Sequence, residues 1–281
     1  MAVEHVVVVG GGGLMGSGIA QVIASAGLSV TIVDVDEDAI ERGLRRIERG
    51  LEKAGADAGE VLARISTSTD MESAAADADH AIETVIEDID AKTDVLRRLD
   101  AVCRADVILA SNTSQFPISK LAAATGRPDR VIGSHWFNPP AVMKLIEVIR
   151  GIETSDETLQ VTLDLAARYG KETIACRKDT PGFVTSRLIA SFMIEAARIV
   201  EEGIADIEDV DKACKLGFGH AMGPFLTADL SGLDTVERVA DNLAKNYGDR
   251  FLLPQSVRAL VNAGHLGRKT GRGLRDYGEA R

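Results

Sequence analysis

The stretch His5-Val-Val-Val-Val-Gly10-Gly-Gly-Gly-Leu-Met-Gly16-Ser-Gly-Ile-Ala20 decides the fold. Its run of valines reads as a buried strand. Glycines follow at once, and an apolar helical pattern starts behind them. Gly11, Gly13 and Gly16 thus stand in G-x-G-x-x-G spacing where strand turns into helix. The first glycine permits a tight turn. The second lets backbone N–H groups approach a pyrophosphate, and the third lets the helix pack on the strand. Leu14 and Met15 open that helix, whose N-terminal dipole favours phosphate. A glycine turn by itself is a common structural device. Here, however, a second strand, Ser29–Val33, ends at Asp34, about 20 residues on, where an acid holds a ribose 2′-hydroxyl. The spacing predicts a dinucleotide site. Asp34, Asp36 and Glu37, with no Arg or Lys before Arg42, would repel a 2′-phosphate and so select NAD over NADP.

Outward from this turn, strands and helices alternate. Residues 15–26 read as a helix stopped by Gly27. Residues 38–54 read as an amphipathic helix, with Ile40, Leu44, Ile47 and Leu51 on one face and Arg42, Arg45, Arg46, Arg49 and Lys53 on the other. That basic stripe is either a solvated face with Glu41–Arg45 pairing or a seat for a polyphosphate or an acidic carrier domain. After a break at 55–59, strands are expected at 65–68 and 80–84, a helix at 90–102, and strands at 107–110, 131–134 and 145–149. A helix at 154–169 closes at Gly170, and a last strand spans 172–175. Beyond residue 180 no strand pattern recurs. Asp179-Thr-Pro181-Gly182 reads as a helix start with Pro in its first turn. Helical spacing then runs from Phe183 to Gly203, from Asp206 to Gly217, and from Pro224 to about Gly264.

The expected fold class is α/β: a Rossmann-type, doubly wound, mostly parallel sheet in residues 1–180, followed by an all-helical C-terminal domain in residues 181–281. The helical part is small and opens on a long apolar helix. Such a unit often completes its core against a second copy, so a homodimer is expected.

The chain of 281 residues is 45% hydrophobic and carries a net charge of −11. That acidity disfavours nucleic acid and anionic membrane as partners. Cys103, Cys176 and Cys214 are odd in number and have no metal-ligand spacing, which fits a reducing compartment and no metal site. The N-terminus has no basic segment ahead of an apolar core, and no apolar run approaches the ~20 residues of a membrane helix. A cytoplasmic protein is expected.

His135 and Glu147 are the main candidates for chemistry. His135 follows the strand at 131–134 and Glu147 lies in the strand at 145–149, in one sheet region and separated by a Pro-containing loop. A carboxylate on one imidazole nitrogen fixes the tautomer and raises the basicity of the other, which can then take a proton from an alcohol. Beside a nicotinamide ring, such a base suits hydride transfer from a secondary alcohol. The plainer alternative is a histidine at a strand end and a solvent-facing glutamate. Ser111-Asn-Thr-Ser114 follows the fifth strand at the edge where open α/β sheets bind ligands.

Four segments together, Gly11-Gly-Gly-Leu-Met-Gly-Ser-Gly-Ile-Ala-Gln21, Ser111-Asn-Thr-Ser114, His135-Trp-Phe-Asn-Pro-Pro-Ala-Val-Met-Lys-Leu-Ile-Glu147 and Asp179-Thr-Pro-Gly-Phe-Val184, resemble the 3-hydroxyacyl-CoA dehydrogenase family. The single-function 3-hydroxybutyryl-CoA dehydrogenases are nearest in layout. Lys212-Ala-Cys-Lys-Leu-Gly217, Met222-Gly-Pro-Phe225, Gly232-Leu-Asp234 and Gly267-Arg-Lys-Thr-Gly271 extend the likeness to about residue 278. The resemblance implies an NAD-dependent oxidoreductase of acyl-CoA-type substrates. His135 would be the general base toward the 3-hydroxyl and Glu147 its orienting group. Ser114 would bond the substrate oxygen, and Asn138 would help hold the nicotinamide side and the substrate. Glu87, Lys92 and Lys269 match family positions that touch NAD. Blander roles stand beside these: Ser114 as cap of a short helix begun near Pro117, Lys92 as a solvated helix residue, and Trp136 as packing. The helical domain would close over the cofactor domain and supply the dimer contact. Two departures stand out. Ser186 occupies the place of a family Asn at the substrate. The segment between Asp34 and Ile65, where the family places a CoA-contacting helical hairpin, is short and has Gly50 where a Ser is expected. A hydroxy acid without CoA, or a carrier-protein thioester, is the alternative substrate class.

Overall fold

A computed structural model describes residues 3–278. The chain divides into two compact units, residues 1–180 and 181–281. The first unit is built on one sheet of eight strands in the order β3-β2-β1-β4-β5-β6-β7-β8. These are β1 (His5–Val9), β2 (Ser29–Val33), β3 (Ile65–Ser68), β4 (His80–Glu83), β5 (Ile108–Ser111), β6 (Val131–Trp136), β7 (Leu145–Arg150) and β8 (Glu172–Cys176). Strands β1 to β6 are mutually parallel; β7 runs antiparallel to β6, and β8 follows β7. The order of strands reverses between β1 and β4. In a doubly wound sheet, such a switch point opens a crevice at the carboxyl ends of the strands.

The long helices of this unit are α1 (Leu14–Ser25), α2 (Glu37–Ala54), α5 (Ile89–Val102) and α7 (Asp156–Arg168), with short α3 (Ala58–Leu62), α4 (Met71–Ala75) and α6 (Ile118–Ala122) between strands. The short helices escape sequence periodicity because one turn and a half displays no repeat. Asp36 starts α2: its carboxylate accepts from the Ala39 N–H at 2.7 Å, as Asp57 and Asp70 do for α3 and α4. Helix α2 and α3 form a helical pair in the segment between Asp34 and Ile65. Ile40, Ile47 and Leu51 of α2 join Ile19, Ile23, Val6, Val8 and Ile32 in one apolar core. Strands β1 and β4 to β6 are buried along nearly their whole length, as parallel strands between helical layers must be.

The second unit packs α8 (Thr185–Glu201), α9 (Ile207–Gly217), α10 (Pro224–Ser231), α11 (Leu233–Tyr247) and α12 (Gln255–Asn262) around Ile194, Phe225, Leu233, Ala240 and Leu243. The expected helix start at Pro181 is corrected: α8 begins at Thr185. Gly182 and Phe183 take positive φ values of 75° and 45°, which a right-handed helix cannot contain. Two buried carboxylates hold the unit's irregular parts. Asp211 accepts from the Phe225 and Leu226 N–H groups at the start of α10. Asp229 accepts from the Leu274 and Arg275 N–H groups and the Tyr277 hydroxyl, fixing the C-terminal turn. Among the described residues no helix is long and apolar enough to cross a membrane. Cys103, Cys176 and Cys214 are free and buried.

Candidate active site

The turn after β1 has the form its glycines require. Gly10 takes φ +78°, and a Cβ there would lie 2.9 Å from the Thr84 carbonyl carbon and the Val85 nitrogen beyond β4. A Cβ on Gly16 would come within 2.3 Å of the Gly10 oxygen. Helix α1 therefore sits directly on the turn only because side chains are missing there. The residue with positive φ is Gly10, one position ahead of the motif's first glycine. Its signal in the sequence was four consecutive glycines, of which the motif uses two. Gly13 is the N-cap of α1, and among the described residues no side chain caps the N–H groups of Leu14, Met15 and Gly16. Gly11 lies against Ile32 of β2.

Asp34, at the end of β2, reaches back to this turn. Its Oδ2 accepts from the Gly12 N–H at 2.9 Å and its Oδ1 from the Val35 N–H at 2.8 Å. Each oxygen keeps a second lone pair for a hydroxyl donor. A cradle without side chains, an uncapped helix start and a carboxylate at the next strand end are what a dinucleotide's pyrophosphate and ribose need, so NAD fits the residues present. From the basic face of α2, Arg46 donates to the Gly12 carbonyl at 2.8 Å, while Arg45 pairs with Glu41 at 3.0 Å on the surface.

Strands β6 and β7, on the β4 side of the switch point, carry the main candidates for chemistry. His135 lies inside β6 rather than after it and is in register with Glu147 of antiparallel β7. Adjacent antiparallel residues bring their side chains together. The imidazole Nδ1 lies 3.0 Å from Glu147 Oε2, and both side chains are buried. A carboxylate that is ionised only accepts, so in that state the bond has Nδ1 as its donor. The solvent-facing alternative for Glu147 is thereby excluded. Trp136 is buried in the core; its indole N–H donates to Ser134 and its backbone N–H to the Asn112 side chain at 2.8 Å, which ties β6 to the Ser111–Ser114 loop. Asn138 is exposed and precedes Pro139 in a cis peptide. Lys171 donates to the Pro140 and Met143 carbonyls, which braces the loop between β6 and β7.

Glu87, Lys92 and Ser114 belong to one network. Lys92 is 1% exposed, so it is not a solvated helix residue. Its Nζ lies 2.9 Å from Glu83 Oε1 and 3.2 Å from Glu87 Oε2. Glu87 Oε1 accepts from the Thr113 hydroxyl at 2.7 Å, the Ser114 N–H at 2.9 Å and the Ser114 hydroxyl at 3.3 Å. Ser114 does not cap α6, whose N-cap is Pro117 without a side-chain bond. Glu83 and Thr113 were not singled out from the sequence. The available signal for Glu83 was a carboxylate inside a strand otherwise fit for burial on both faces. Burial pushes the Glu83 carboxyl above the usual range, against the opposing pull of Lys92 and the Ser111 hydroxyl.

In the second unit, Ser186 lies in the first turn of α8, partly buried. Lys269 lies in a one-turn helix at Arg268–Thr270, and its Nζ is held by both Asp234 oxygens at 2.6 and 2.7 Å. Among the described residues no group of His, Cys, Asp or Glu is placed to hold a metal.

Comparison with known proteins agrees with this geometry. Residues 5–180 match the model of the 3-hydroxyacyl-CoA dehydrogenase NAD binding domain, and residues 182–277 that of the 3-hydroxyacyl-CoA dehydrogenase C-terminal domain. A probable 3-hydroxybutyryl-CoA dehydrogenase of Bacillus subtilis is 43% identical, with 97% of each chain covered. The mitochondrial hydroxyacyl-coenzyme A dehydrogenase of Sus scrofa is 41% identical over 98% of this chain and 91% of its own. The crystal structure of (S)-3-hydroxybutyryl-CoA dehydrogenase PaaH1 from Ralstonia eutropha superposes with a TM-score of 0.93 at 39% identity, covering 99% of this chain and 100% of that one. With both family domains matched in order along nearly its whole length, the chain belongs to the 3-hydroxyacyl-CoA dehydrogenase family, as an oxidoreductase with NAD as its cofactor.

Proposed function

We propose that the carboxyl edge of the sheet oxidises the 3-hydroxyl of a short-chain L-3-hydroxyacyl-CoA, with His135 as general base. The buried His135–Glu147 pair carries this reading. With its proton held on Nδ1 by Glu147, the imidazole accepts at Nε2. Glu147 then stabilises the imidazolium that forms when the hydroxyl proton arrives. Ser114 bonds the substrate oxygen, and Asn138 borders the substrate and the nicotinamide side. NAD, when bound, supplies the acceptor for the hydride leaving C3. Gly11, Gly13, Leu14, Met15 and Gly16 would line its pyrophosphate and Asp34 its ribose, with Glu87 of the loop after β4 and Lys92 of α5 as further candidates for contact. In the reverse direction, His135 returns the proton to a 3-ketoacyl thioester. Ser186 and Lys269 are the helical unit's candidates for substrate and cofactor contact. Ser186 donates one hydrogen bond from a shorter reach than an Asn would. The helical unit also supplies the contact of a homodimer.

His135→Gln tests the assignment. Turnover of 3-hydroxybutyryl-CoA should fall by at least ~100-fold, the usual scale of lost acid–base catalysis, while NAD affinity by calorimetry is retained. Near-normal turnover would remove His135 from the role. Following NADH with acetoacetyl-CoA, a carrier-bound acetoacetyl group and free 3-hydroxy acids fixes the substrate class. Faster turnover of the free acid than of the thioester overturns the CoA reading.

A further inference from the structure

Glu83 ends β4 with 0% exposure, in register with Val9 of β1 and Ser111 of β5. A carboxylate inside a sheet is costly unless it is paired and hydrogen-bonded. Here Oε1 accepts from Lys92 Nζ at 2.9 Å and the Val85 N–H at 2.7 Å, and Oε2 accepts from the Ser111 hydroxyl at 2.6 Å. The Lys92 ammonium has three protons and three acceptors around it: Glu83, Glu87 at 3.2 Å and the Val85 carbonyl at 3.2 Å. Glu87 spends its other oxygen on Thr113 and Ser114. A buried lysine needs one carboxylate for neutrality, and this one has two, of which the deeper, Glu83, is fully buried.

We infer that Glu83 is a positioning residue for the dehydrogenase reaction, acting through Lys92 and Glu87 on Ser114. The inference rests on the reading that Ser114 bonds the substrate oxygen. Glu83 draws the ammonium inward, so Glu87 keeps its Oε1 charge for the Ser114 N–H. The Ser114 hydroxyl meets Glu87 only at 3.3 Å, long enough for it to turn toward a substrate oxygen. With Glu83 neutral, Lys92 closes on Glu87 and pulls its carboxylate off the loop.

Glu83→Gln removes the charge and keeps the shape, since the amide oxygen still accepts and the Ser111 hydroxyl can accept from the amide nitrogen. The experiment is a double-mutant cycle with Ser114→Ala, read in kcat and in KM for 3-hydroxybutyryl-CoA and NAD. Glu83→Gln alone should lower kcat by about tenfold with both KM values within about twofold, the pattern of an interaction made in the transition state. Combined with Ser114→Ala, it should cost nothing further. The same tenfold loss in both backgrounds overturns the inference, because Glu83 then acts elsewhere, yet leaves Ser114's own role intact. A Ser114→Ala enzyme with normal kcat overturns the reading of Ser114, and the inference with it. If Glu83→Gln does not fold, Glu83→Asp, which keeps the charge and shortens its reach to Lys92, takes its place, with a smaller loss of kcat that Ser114→Ala likewise abolishes.

Discussion

His80 and Glu147 are both buried, ionisable and set in the same sheet, and their partners give them opposite duties. Glu147 faces an imidazole across one strand pair. Neither ring nitrogen of His80 has a hydrogen-bond partner among the described residues. Burial lowers the His80 pKa from 6.5 to about 4, because a charged ring there has no solvent and no counter-ion. The consequence for stability has a definite sign. Above pH 6.5 the ring is neutral in both folded and unfolded chains. As pH falls from 6.5 toward 4, the unfolded chain takes a proton that the native one refuses, so stability is lost across that window, by about 3 kcal/mol in all. His80→Leu should therefore flatten the decline of the urea midpoint between pH 6.5 and 4. It should also stabilise at pH 7 by about 1 kcal/mol, since two unpaired polar atoms leave the core. An unchanged slope would show that the acid sensitivity comes from other groups. At this scale the sequence marked His135, Glu147 and Ser114 as chemistry. It marked His80 only as the start of a strand, because a lone histidine among apolar residues carries no sign of what surrounds it.

The element that organises the first unit is β1, its glycine turn, α1 and β2. Alternation of strand, glycine and helix was legible because each signal acts within a few residues. The candidacy of Asp34 for the ribose was legible as a distance along the chain, while its bond to the Gly12 N–H depends on β1 and β2 lying side by side. Asp34→Ala should lower the preference for NAD over NADP, measured as the ratio of kcat/KM values, by roughly tenfold or more, the scale of one lost charge-assisted hydrogen bond and one lost repulsion. An unchanged ratio would place the acid away from the ribose. Asp36, grouped with it in the sequence, has a separate duty as cap of α2. The basic stripe of α2 likewise divides once folded: Arg45 meets Glu41, and Arg46 supports the turn. An exposed pair like Arg45–Glu41 contributes little to stability. The mismatch at α8 is also an element-scale effect, since Pro181 signalled a helix that Gly182 and Phe183 delay.

For the whole molecule, the outstanding surface is on the helical unit. Leu216 is 78% exposed and Phe218 69%. Phe218 and Phe192 both stack near His220, with ring centroids 5.7 and 5.5 Å away. Exposed apolar groups clustered this way mark association surfaces. Phe218→Asp should convert a dimer into a monomer by light scattering at micromolar concentration. A variant of unchanged mass would place the contact elsewhere, and a monomeric parent would remove the dimer altogether.

By itself the sequence determined the succession of strands and helices, the dinucleotide turn, the change to helices near residue 180 and the candidate residues for the chemistry. Those features arise from propensity, periodicity and backbone freedom, which neighbours along the chain set. Only the tertiary structure decided that Glu147 faces His135, that Gly10 rather than Gly11 makes the strained turn, and that Glu83 and Lys92 meet inside the core. Strand order, register and burial depend on which surfaces come together, and residues remote in sequence decide that jointly.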